Sequence, residues 1–217
     1  MLVTASIISA PLLELGDVLE RLRESGVDAL HIDVEDGHFV PELGLGLRVV
    51  EDVAAWGGLP VDVHLMVADP EFAITRLRGL PLRSVAIHLE ATRYPRRVLR
   101  QIREAGWRAG LAVNPVTSLP ELGRLAPHLD YVLQLTTEPE PDPDFLTGML
   151  ATLPASAAAA RAVGVELWVD GGVSEDNAES LAAMGVDSVV VGRALIDSAD
   201  PGGLVQLFAG GSGKEDG

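Results

Sequence analysis

The sequence predicts a single-domain α/β protein of the TIM-barrel class, with eight parallel strands each followed by a helix. Short runs rich in Val, Ile and Leu alternate with longer segments of helical period, and there are eight such runs. The length of 217 residues suits one undivided barrel. A doubly wound open sheet is the alternative, but it normally carries a glycine-rich phosphate loop after its first strand, and segment 5–14 has none.

The predicted strands are short, aliphatic and often β-branched, as strands covered on both faces by helices should be. In chain order they are VTASII (3–8), DALHID (28–33), LPVDVHL (59–65), SVAIHL (84–89), RAGLAV (108–113), DYVLQL (130–135), VELWVD (165–170) and DSVVVG (187–192).

Helices are predicted between these strands. One face of segment 12–25 repeats leucine at spacings of three and four, at Leu12, Leu15, Leu19 and Leu22. The alanine-rich segment 156–162 favours another helix. Glycines that stand just before a strand indicate helix C-caps at Gly26, Gly106 and Gly185. No linker divides the chain, so residues 1–208 are predicted to form one barrel domain and the Gly-rich end, 209–217, a flexible tail.

Composition excludes several classes of function. The net charge of −16 argues against a general nucleic-acid surface, because such surfaces need Lys and Arg to neutralise phosphates. No run of 18 apolar residues and no signal peptide is present, so we expect a soluble cytoplasmic protein without a membrane partner. Without cysteine, a transition metal must be bound by nitrogen and oxygen atoms.

Polar residues collect at the C-terminal ends of the predicted strands, where TIM-barrel active sites lie. His31 and Asp33 share one face of strand 2, His64 ends strand 3 and Asp170 ends strand 7. Two imidazoles and two carboxylates would form a site for Zn²⁺, with Fe²⁺ or Mn²⁺ also possible. Each residue alone is explained as a hydrogen-bonded strand end, but together they favour a metal, which would offset their desolvation.

Five segments resemble the ribulose-phosphate 3-epimerase family of TIM barrels, over roughly residues 3 to 208. They are ASIISA (5–10), HIDVEDGHFVP (31–41), VDVHLMVADP (61–70), AVNPVTSL (112–119) and VDGGV (169–173). Each segment is a weak signal by itself, whereas five in order at barrel positions are specific.

The resemblance implies a divalent metal, usually zinc, held by His31, Asp33, His64 and Asp170. It also implies that Asp33 and Asp170 are the catalytic acid and base on opposite faces of a sugar phosphate. To invert a carbon next to a ketone, an enzyme removes its proton on one face and returns a proton on the other. The ene-diolate formed between these steps is stabilised by the metal. Because the family commonly forms symmetric oligomers, we expect at least a homodimer.

Further residues match substrate-contacting or site-covering positions of the family, namely Ser6, His64, Met66, Gly171, Gly172 and Gly192. Asp62 shares strand parity with His64 and is proposed to accept a hydrogen bond from an imidazole, with a plain structural hydrogen bond as the alternative. Three other polar residues are interpreted as rim or structural groups rather than ligands: His38, His88 and Glu90.

The chain departs from the family pattern after strand 6, where a glycine-rich phosphate loop is usual. Here the segment reads LTTEPEPDPDF (135–145), with four carboxylates, including Glu138, and three prolines that lack N–H donors. An acidic, donor-poor loop should weaken phosphate binding through like-charge repulsion.

Two further departures are single residues. Arg193 follows Gly192 after strand 8, and it either binds a phosphate or carboxylate bidentately or lies in solvent or in an ion pair. Glu35 stands where the family has Met, and it could add a metal ligand, bind a substrate hydroxyl or cation, or face solvent. Glu35 and Glu138 are therefore candidate specificity residues.

The sequence thus predicts a metal-dependent ketose phosphate 3-epimerase, for example one that converts D-ribulose 5-phosphate to D-xylulose 5-phosphate. The first alternative is an epimerase or isomerase of a non-phosphorylated or differently charged sugar. The second is a non-catalytic metal- or ligand-binding barrel with a regulatory role, although both acid/base aspartates are present. No lysine precedes Lys214, which excludes Schiff-base aldolase chemistry.

Overall fold

Eight parallel strands, β1 to β8, close into a barrel in chain order, with β1 hydrogen-bonded to both β2 and β8. This is a computed structural model that describes residues 1–138 and 144–210. The strands are Leu2–Ser6, Ala29–Glu35, Val61–Met66, Ser84–His88, Arg108–Val113, Tyr131–Leu135, Glu166–Asp170 and Ser188–Val191. The TIM-barrel prediction and all eight predicted strands are confirmed.

In the described residues, eight α-helices surround the barrel. In order, α1 to α8 are Leu15–Ser25, Leu47–Trp56, Pro70–Leu77, Pro95–Glu104, Leu153–Arg161, Glu175–Ala183, Arg193–Ile196 and Pro201–Ala209. Short 3₁₀ turns accompany them at Leu12–Glu14, Leu89–Ala91, Leu122–Arg124, Ala126–His128 and Thr147–Ala151. The three glycines predicted as helix C-caps adopt left-handed φ angles of 83°, 91° and 78°, at Gly26, Gly106 and Gly185.

The connection between β5 and β6 differs from the predicted strand–helix repeat. Two 3₁₀ turns, Leu122–Arg124 and Ala126–His128, make this crossover, whereas the other crossovers contain α-helix. The segment holds prolines at positions 115, 120 and 127. Each proline removes an N–H donor and clashes with the preceding turn, so an α-helix cannot run through the crossover.

The core has two layers. Aliphatic side chains fill the space between the outer face of the barrel and the helices. Inside the barrel, Tyr131 and Trp168 stack with ring centroids 3.9 Å apart. Gly110 provides the room for Tyr131, since a Cβ at position 110 would lie 2.3 Å from the tyrosine ring. This packed layer forms the floor beneath the C-terminal mouth of the barrel.

The last helix of the described residues ends close to the predicted domain boundary. The last helix, α8, ends at Ala209, one residue beyond position 208. Of the predicted tail, residues 211–217 lie outside the described part of the chain. None of the described helices has the length and apolarity needed to cross a membrane.

Candidate metal centre and active site

Four predicted ligands meet at the C-terminal mouth of the barrel. β2 carries His31 and Asp33, β3 carries His64, and β7 ends at Asp170. The register of β2 and β3 pairs Asp33 with His64. Each side chain offers one ligand atom, and these four atoms lie within 4.8 Å of one another. The structure therefore brings together the four residues that the sequence singled out.

The two imidazoles face the same pair of carboxylate oxygens with different nitrogens. His31 Nε2 lies 3.2 Å from Asp33 Oδ1 and 3.5 Å from Asp170 Oδ2. His64 Nδ1 lies 3.0 Å and 3.5 Å from those same two oxygens. Nε2 of His31 and Nδ1 of His64 are therefore the nitrogens directed at a common centre.

The bonding of His31 indicates that this centre suits a cation. Both ring nitrogens of His31 are buried, and neither has a hydrogen-bond partner among the residues that the structure describes. A buried nitrogen without a partner is costly, and Nε2 already points at two carboxylate oxygens without the angles of a hydrogen bond. A divalent metal at the centre would accept the lone pair of Nε2 and balance both carboxylates, so the residues present fit the metal that the sequence predicts.

Opposing electrostatic effects act on the four side chains when no metal balances them. Burial acts to lower the pKa of His31, but the carboxylates of Asp33 and Asp170 together outweigh burial and raise that pKa to about 10. Burial acts to raise the pKa of Asp33, but the imidazoles of His31 and His64 together outweigh burial and hold that pKa well below its usual range. The metal-free cluster is thus a set of ion pairs whose protons a cation would displace.

A second pair of residues, which the sequence analysis set aside, contacts this cluster. His64 Nε2 lies 2.9 Å from His88 Nε2, and His88 Nδ1 lies 3.3 Å from Glu90 Oε2. Burial lowers the pKa of His88 to about 4, so the ring is neutral. Burial acts to raise the pKa of Glu90, but hydrogen bonds with His88, Thr117 and the Asn114 backbone together outweigh burial and lower that pKa to about 2. Strand parity could have indicated this contact, because His88 is the last residue of β4 and His64 lies near the end of β3.

Asp62 does not orient an imidazole, which corrects the role proposed for it. Its carboxylate accepts hydrogen bonds from Arg83 Nε at 2.8 Å and from Ser84 Oγ at 2.6 Å. Asp62 lies near the N-terminal end of β3, whereas His64 lies toward the mouth. Shared strand parity placed both residues inside the barrel but could not tell the floor from the mouth.

A cavity of about 660 Å³ opens above the four-residue cluster. It is lined by all the predicted substrate-contacting and specificity residues, which are Ser6, Glu35, His64, Met66, Glu138, Gly171, Gly172, Gly192 and Arg193. Asp33 and Asp170 also line it, while His31 does not. Asp33 and Asp170 are therefore accessible from the cavity, and the roles of all these residues stay predictions.

Glu35 lies on β2 two residues beyond Asp33, on the side facing the cavity. Gly44 lets this carboxylate lie against the following loop, because a Cβ at position 44 would come 2.2 Å from Glu35 Oε2. Burial, followed by the negative charge of Asp33, raises the pKa of Glu35 to about 7. An acidic group so close to the carboxylates of Asp33, Glu42 and Asp170 is costly, and a cationic or hydrogen-bonding ligand would stabilise it.

The loops after β6 and β7 pack tightly against each other. Thr136 Oγ1 donates a hydrogen bond to the Gly171 carbonyl at 2.6 Å. Gly172 has a φ of 63°, and a Cβ at that position would lie 2.4 Å from Phe145 N. Of the acidic loop after β6, Glu138 and Asp144 line the cavity, while residues 139–143, with Glu140 and Asp142, lie outside the described part of the chain.

The chain is similar to a known protein family and to named proteins over most of its length. The model of the ribulose-phosphate 3 epimerase family matches residues 2–196. A ribulose-phosphate 3-epimerase of Mycobacterium tuberculosis is 37% identical over 209 residues, covering 94% of this chain and 90% of that protein. Proteins of the same name from Bacillus subtilis and Escherichia coli are 32% and 33% identical, covering 91% and 92% of this chain and 93% and 90% of those proteins.

Solved structures agree on the fold. The tryptophan synthase alpha subunit of Legionella pneumophila superposes with a TM-score of 0.65 at 16% identity, covering 97% of this chain and 92% of that one. A likeness at this identity concerns the barrel alone and carries no information about the reaction.

Proposed function

Because the chain belongs to the ribulose-phosphate 3-epimerase family, we propose that it inverts the configuration at C3 of a ketose phosphate such as D-ribulose 5-phosphate. The chain is an isomerase of the epimerase type. In this proposal Asp33 and Asp170 transfer the protons, and His31 and His64 complete the ligand set of a divalent metal. The convergence of four ligand atoms within 4.8 Å at the base of the cavity carries the proposal.

Two imidazoles and two carboxylates suit borderline cations. We therefore propose Zn²⁺ as the metal, with Fe²⁺ and Mn²⁺ as alternatives. When bound, the metal would act as a Lewis acid that stabilises the negative charge developed during proton removal. His31 would bind through Nε2 and His64 through Nδ1, the atoms that face the carboxylates.

The protein groups supply the proton transfers. Asp33 and Asp170 come from β2 and β7, which are separated around the barrel by β1 and β8, so they reach a substrate from two sides. Asp33 Oδ1 faces the imidazoles, while Asp33 Oδ2 accepts a hydrogen bond from Ser6 Oγ at 2.8 Å. We assign proton transfer to the outer oxygens, Asp33 Oδ2 and Asp170 Oδ1, since the other two face the metal centre.

The charge of the cavity favours a second candidate. Among the described residues, its wall includes the carboxylates of Glu35, Glu42, Glu138 and Asp144 and one guanidinium, that of Arg193. Such a wall repels a phosphate dianion except near Arg193. The second candidate is therefore 3-epimerisation of a ketose that lacks a phosphate or carries a positive group. Turnover that does not depend on phosphate would favour it.

Several finer features complete the proposal. Residues 1–208 form the catalytic domain and 209–217 a flexible tail. The protein works in the cytoplasm as at least a homodimer, as the family resemblance implies. Ser6, Met66, Gly171, Gly172, Gly192 and Arg193 contact the substrate, and Glu35 and Glu138 adjust its specificity.

The experiment combines metal analysis with NMR of C3–H exchange in D₂O, using a panel of ketoses with and without a terminal phosphate. We expect about one divalent metal per chain and exchange with at least one phosphorylated ketose that chelation abolishes. If the metal-loaded protein exchanges the proton of no ketose in the panel, the epimerase assignment is wrong.

A further inference from the structure

A chain of hydrogen bonds runs from the backbone of β5 to the candidate metal ligand His64. The amide of Asn114 donates to Glu90 Oε1 at 2.9 Å, and Glu90 Oε2 lies 3.3 Å from His88 Nδ1. His88 Nε2 then lies 2.9 Å from His64 Nε2. Both imidazoles are fully buried, so water does not reach the hydrogen bond between them. We call this chain the His88–Glu90 relay.

The relay fixes where each proton sits. A carboxylate only accepts hydrogen bonds, so His88 must carry its proton on Nδ1, the atom that faces Glu90. Only one proton fits between the two Nε2 atoms 2.9 Å apart, so His88 with its proton on Nδ1 presents its Nε2 lone pair and accepts a hydrogen bond from His64 Nε2. With its proton on Nε2, His64 would offer the lone pair of Nδ1 to a bound metal; without metal, Nδ1 also carries a proton, which it donates to Asp33 Oδ1 at 3.0 Å.

The ring geometry agrees with this order of protons. The His64 and His88 rings are inclined by 21° with centroids 4.9 Å apart, and their facing nitrogens are 2.9 Å apart. These values describe two nearly coplanar rings that meet edge to edge, as an N–H···N hydrogen bond requires. Phe39 packs on His88 with a centroid distance of 4.6 Å and limits its rotation.

We propose that His88 and Glu90 are positioning residues, which hold His64 in the tautomer whose Nδ1 lone pair is directed at the metal centre. The inference rests on the proposed function insofar as it requires a metal at the four-residue cluster. It is particular to one ligand, because Nδ1 of the other imidazole, His31, has no hydrogen-bond partner. A role in core packing alone would be insensitive to the direction of the hydrogen bonds.

The variant Glu90→Gln tests this direction with almost no change of shape. Its amide oxygen would take the Asn114 N–H, which leaves the NH₂ group facing His88 Nδ1. His88 must then accept at Nδ1 and carry its proton on Nε2, which forces the proton of His64 onto Nδ1. The variant thus reverses the relay and occupies the nitrogen that should bind the metal.

The readouts are Zn²⁺ affinity, measured by competition with a chromophoric chelator, and the imidazole ¹⁵N spectrum of the Zn²⁺-loaded protein. The chain has five histidines, so each ring can be assigned. We expect Glu90→Gln to weaken Zn²⁺ binding by roughly 10–100-fold. In the wild-type spectrum we expect His64 protonated at Nε2 and His88 at Nδ1.

The matched control is Asp187→Asn. This substitution also removes one negative charge. Like Glu90, Asp187 accepts a hydrogen bond from a backbone N–H, that of Leu167 at 2.8 Å, but it precedes β8 at the floor of the barrel. Its Zn²⁺ affinity should equal that of the wild type. A second variant, His88→Phe, retains a ring against Phe39 and removes both nitrogens, so it should also weaken Zn²⁺ binding.

Unchanged Zn²⁺ affinity in a folded Glu90→Gln protein would overturn the proposal. So would a wild-type spectrum with the His88 proton on Nε2, a result that needs no variant to fold. Neither readout involves sugar turnover. A protein that binds Zn²⁺ with the expected tautomers but epimerises no ketose would refute the proposed function and leave the relay intact.

Discussion

The hydroxyl of Ser6 donates a hydrogen bond of 2.8 Å to Oδ2 of Asp33, and both side chains are buried at the ends of neighbouring strands. The other oxygen of Asp33, Oδ1, lies 3.0 Å from His64 Nδ1. The two oxygens of one carboxylate therefore have separate partners. One faces the candidate metal centre, and the other, which is bonded to Ser6, is the oxygen to which we assign proton transfer.

Replacing Ser6 with Ala should lower kcat by roughly 10–100-fold, because a hydrogen bond to a charged group contributes about 1.5–3 kcal/mol. Steady-state kinetics of the metal-loaded enzyme provide the measurement. Ser84→Ala is the matched control, since Ser84 donates a similar bond to buried Asp62 at the floor of the barrel. That control should lose stability but retain kcat, and equal kcat losses in both variants would contradict the account.

Glu35 should make the stability of the metal-free protein depend on pH. Its pKa is about 7 in the folded state against an ordinary value of 4.5. Between these values the folded protein holds the proton that the unfolded chain has released, so stability falls as pH rises through this window. The difference between the two pKa values corresponds to about 3 kcal/mol in the free energy of unfolding. Partial exposure of Glu35 to solvent reduces this to about 1–2 kcal/mol.

Urea unfolding of the metal-free wild type and of Glu35→Gln at pH 4.5 and pH 8 measures this effect. The variant should gain about 1–2 kcal/mol over the wild type at pH 8 compared with pH 4.5. Glu24→Gln, at an exposed position of α1, serves as the control for a change in net charge. A difference between wild type and Glu35→Gln that is the same at both pH values would show that the carboxyl is not destabilised by its surroundings.

Arg193 should discriminate between phosphorylated and unphosphorylated substrates. It is the cationic side chain that lines the cavity, and it begins α7 beside Gly192. We expect Arg193→Gln to raise KM for a ketose phosphate by roughly 10–100-fold, because a charge-assisted bond contributes about 1.5–3 kcal/mol. KM for the unphosphorylated ketose should change little. Arg48→Gln, at an exposed position of α2, is the control. Equal effects of Arg193→Gln on KM for both substrates would favour the second candidate function.

Much of the fold was predictable because its determinants are local. The aliphatic runs and the cap glycines fixed every strand to within two residues of its observed bounds. Alternation along β2 also placed His31 and Asp33 on one face. The missing α-helix between β5 and β6 could have been foreseen from the three prolines of that crossover.

The contacts between strands were not predictable, because they depend on the stagger of the barrel. Parity put Asp62 and His64 inside the barrel, but only the register shows Asp62 paired with Ser84 at the floor. Likewise, the sequence places His88 at a strand end without showing that its ring meets His64 edge to edge. Which nitrogen of each imidazole faces the metal centre also follows from backbone placement rather than from residue type.

The central claim is that Asp33 and Asp170 each remove the C3 proton of one epimer. The most direct measurement is C3–H exchange in D₂O for Asp33→Asn and Asp170→Asn, starting separately from each of the two epimers, with metal content determined on the same samples. Each metal-loaded variant should lose inversion by roughly 10²–10⁴-fold and still exchange the proton of one epimer, a different one for each variant. If either variant binds metal and inverts both epimers at the wild-type rate, the two-aspartate mechanism is wrong.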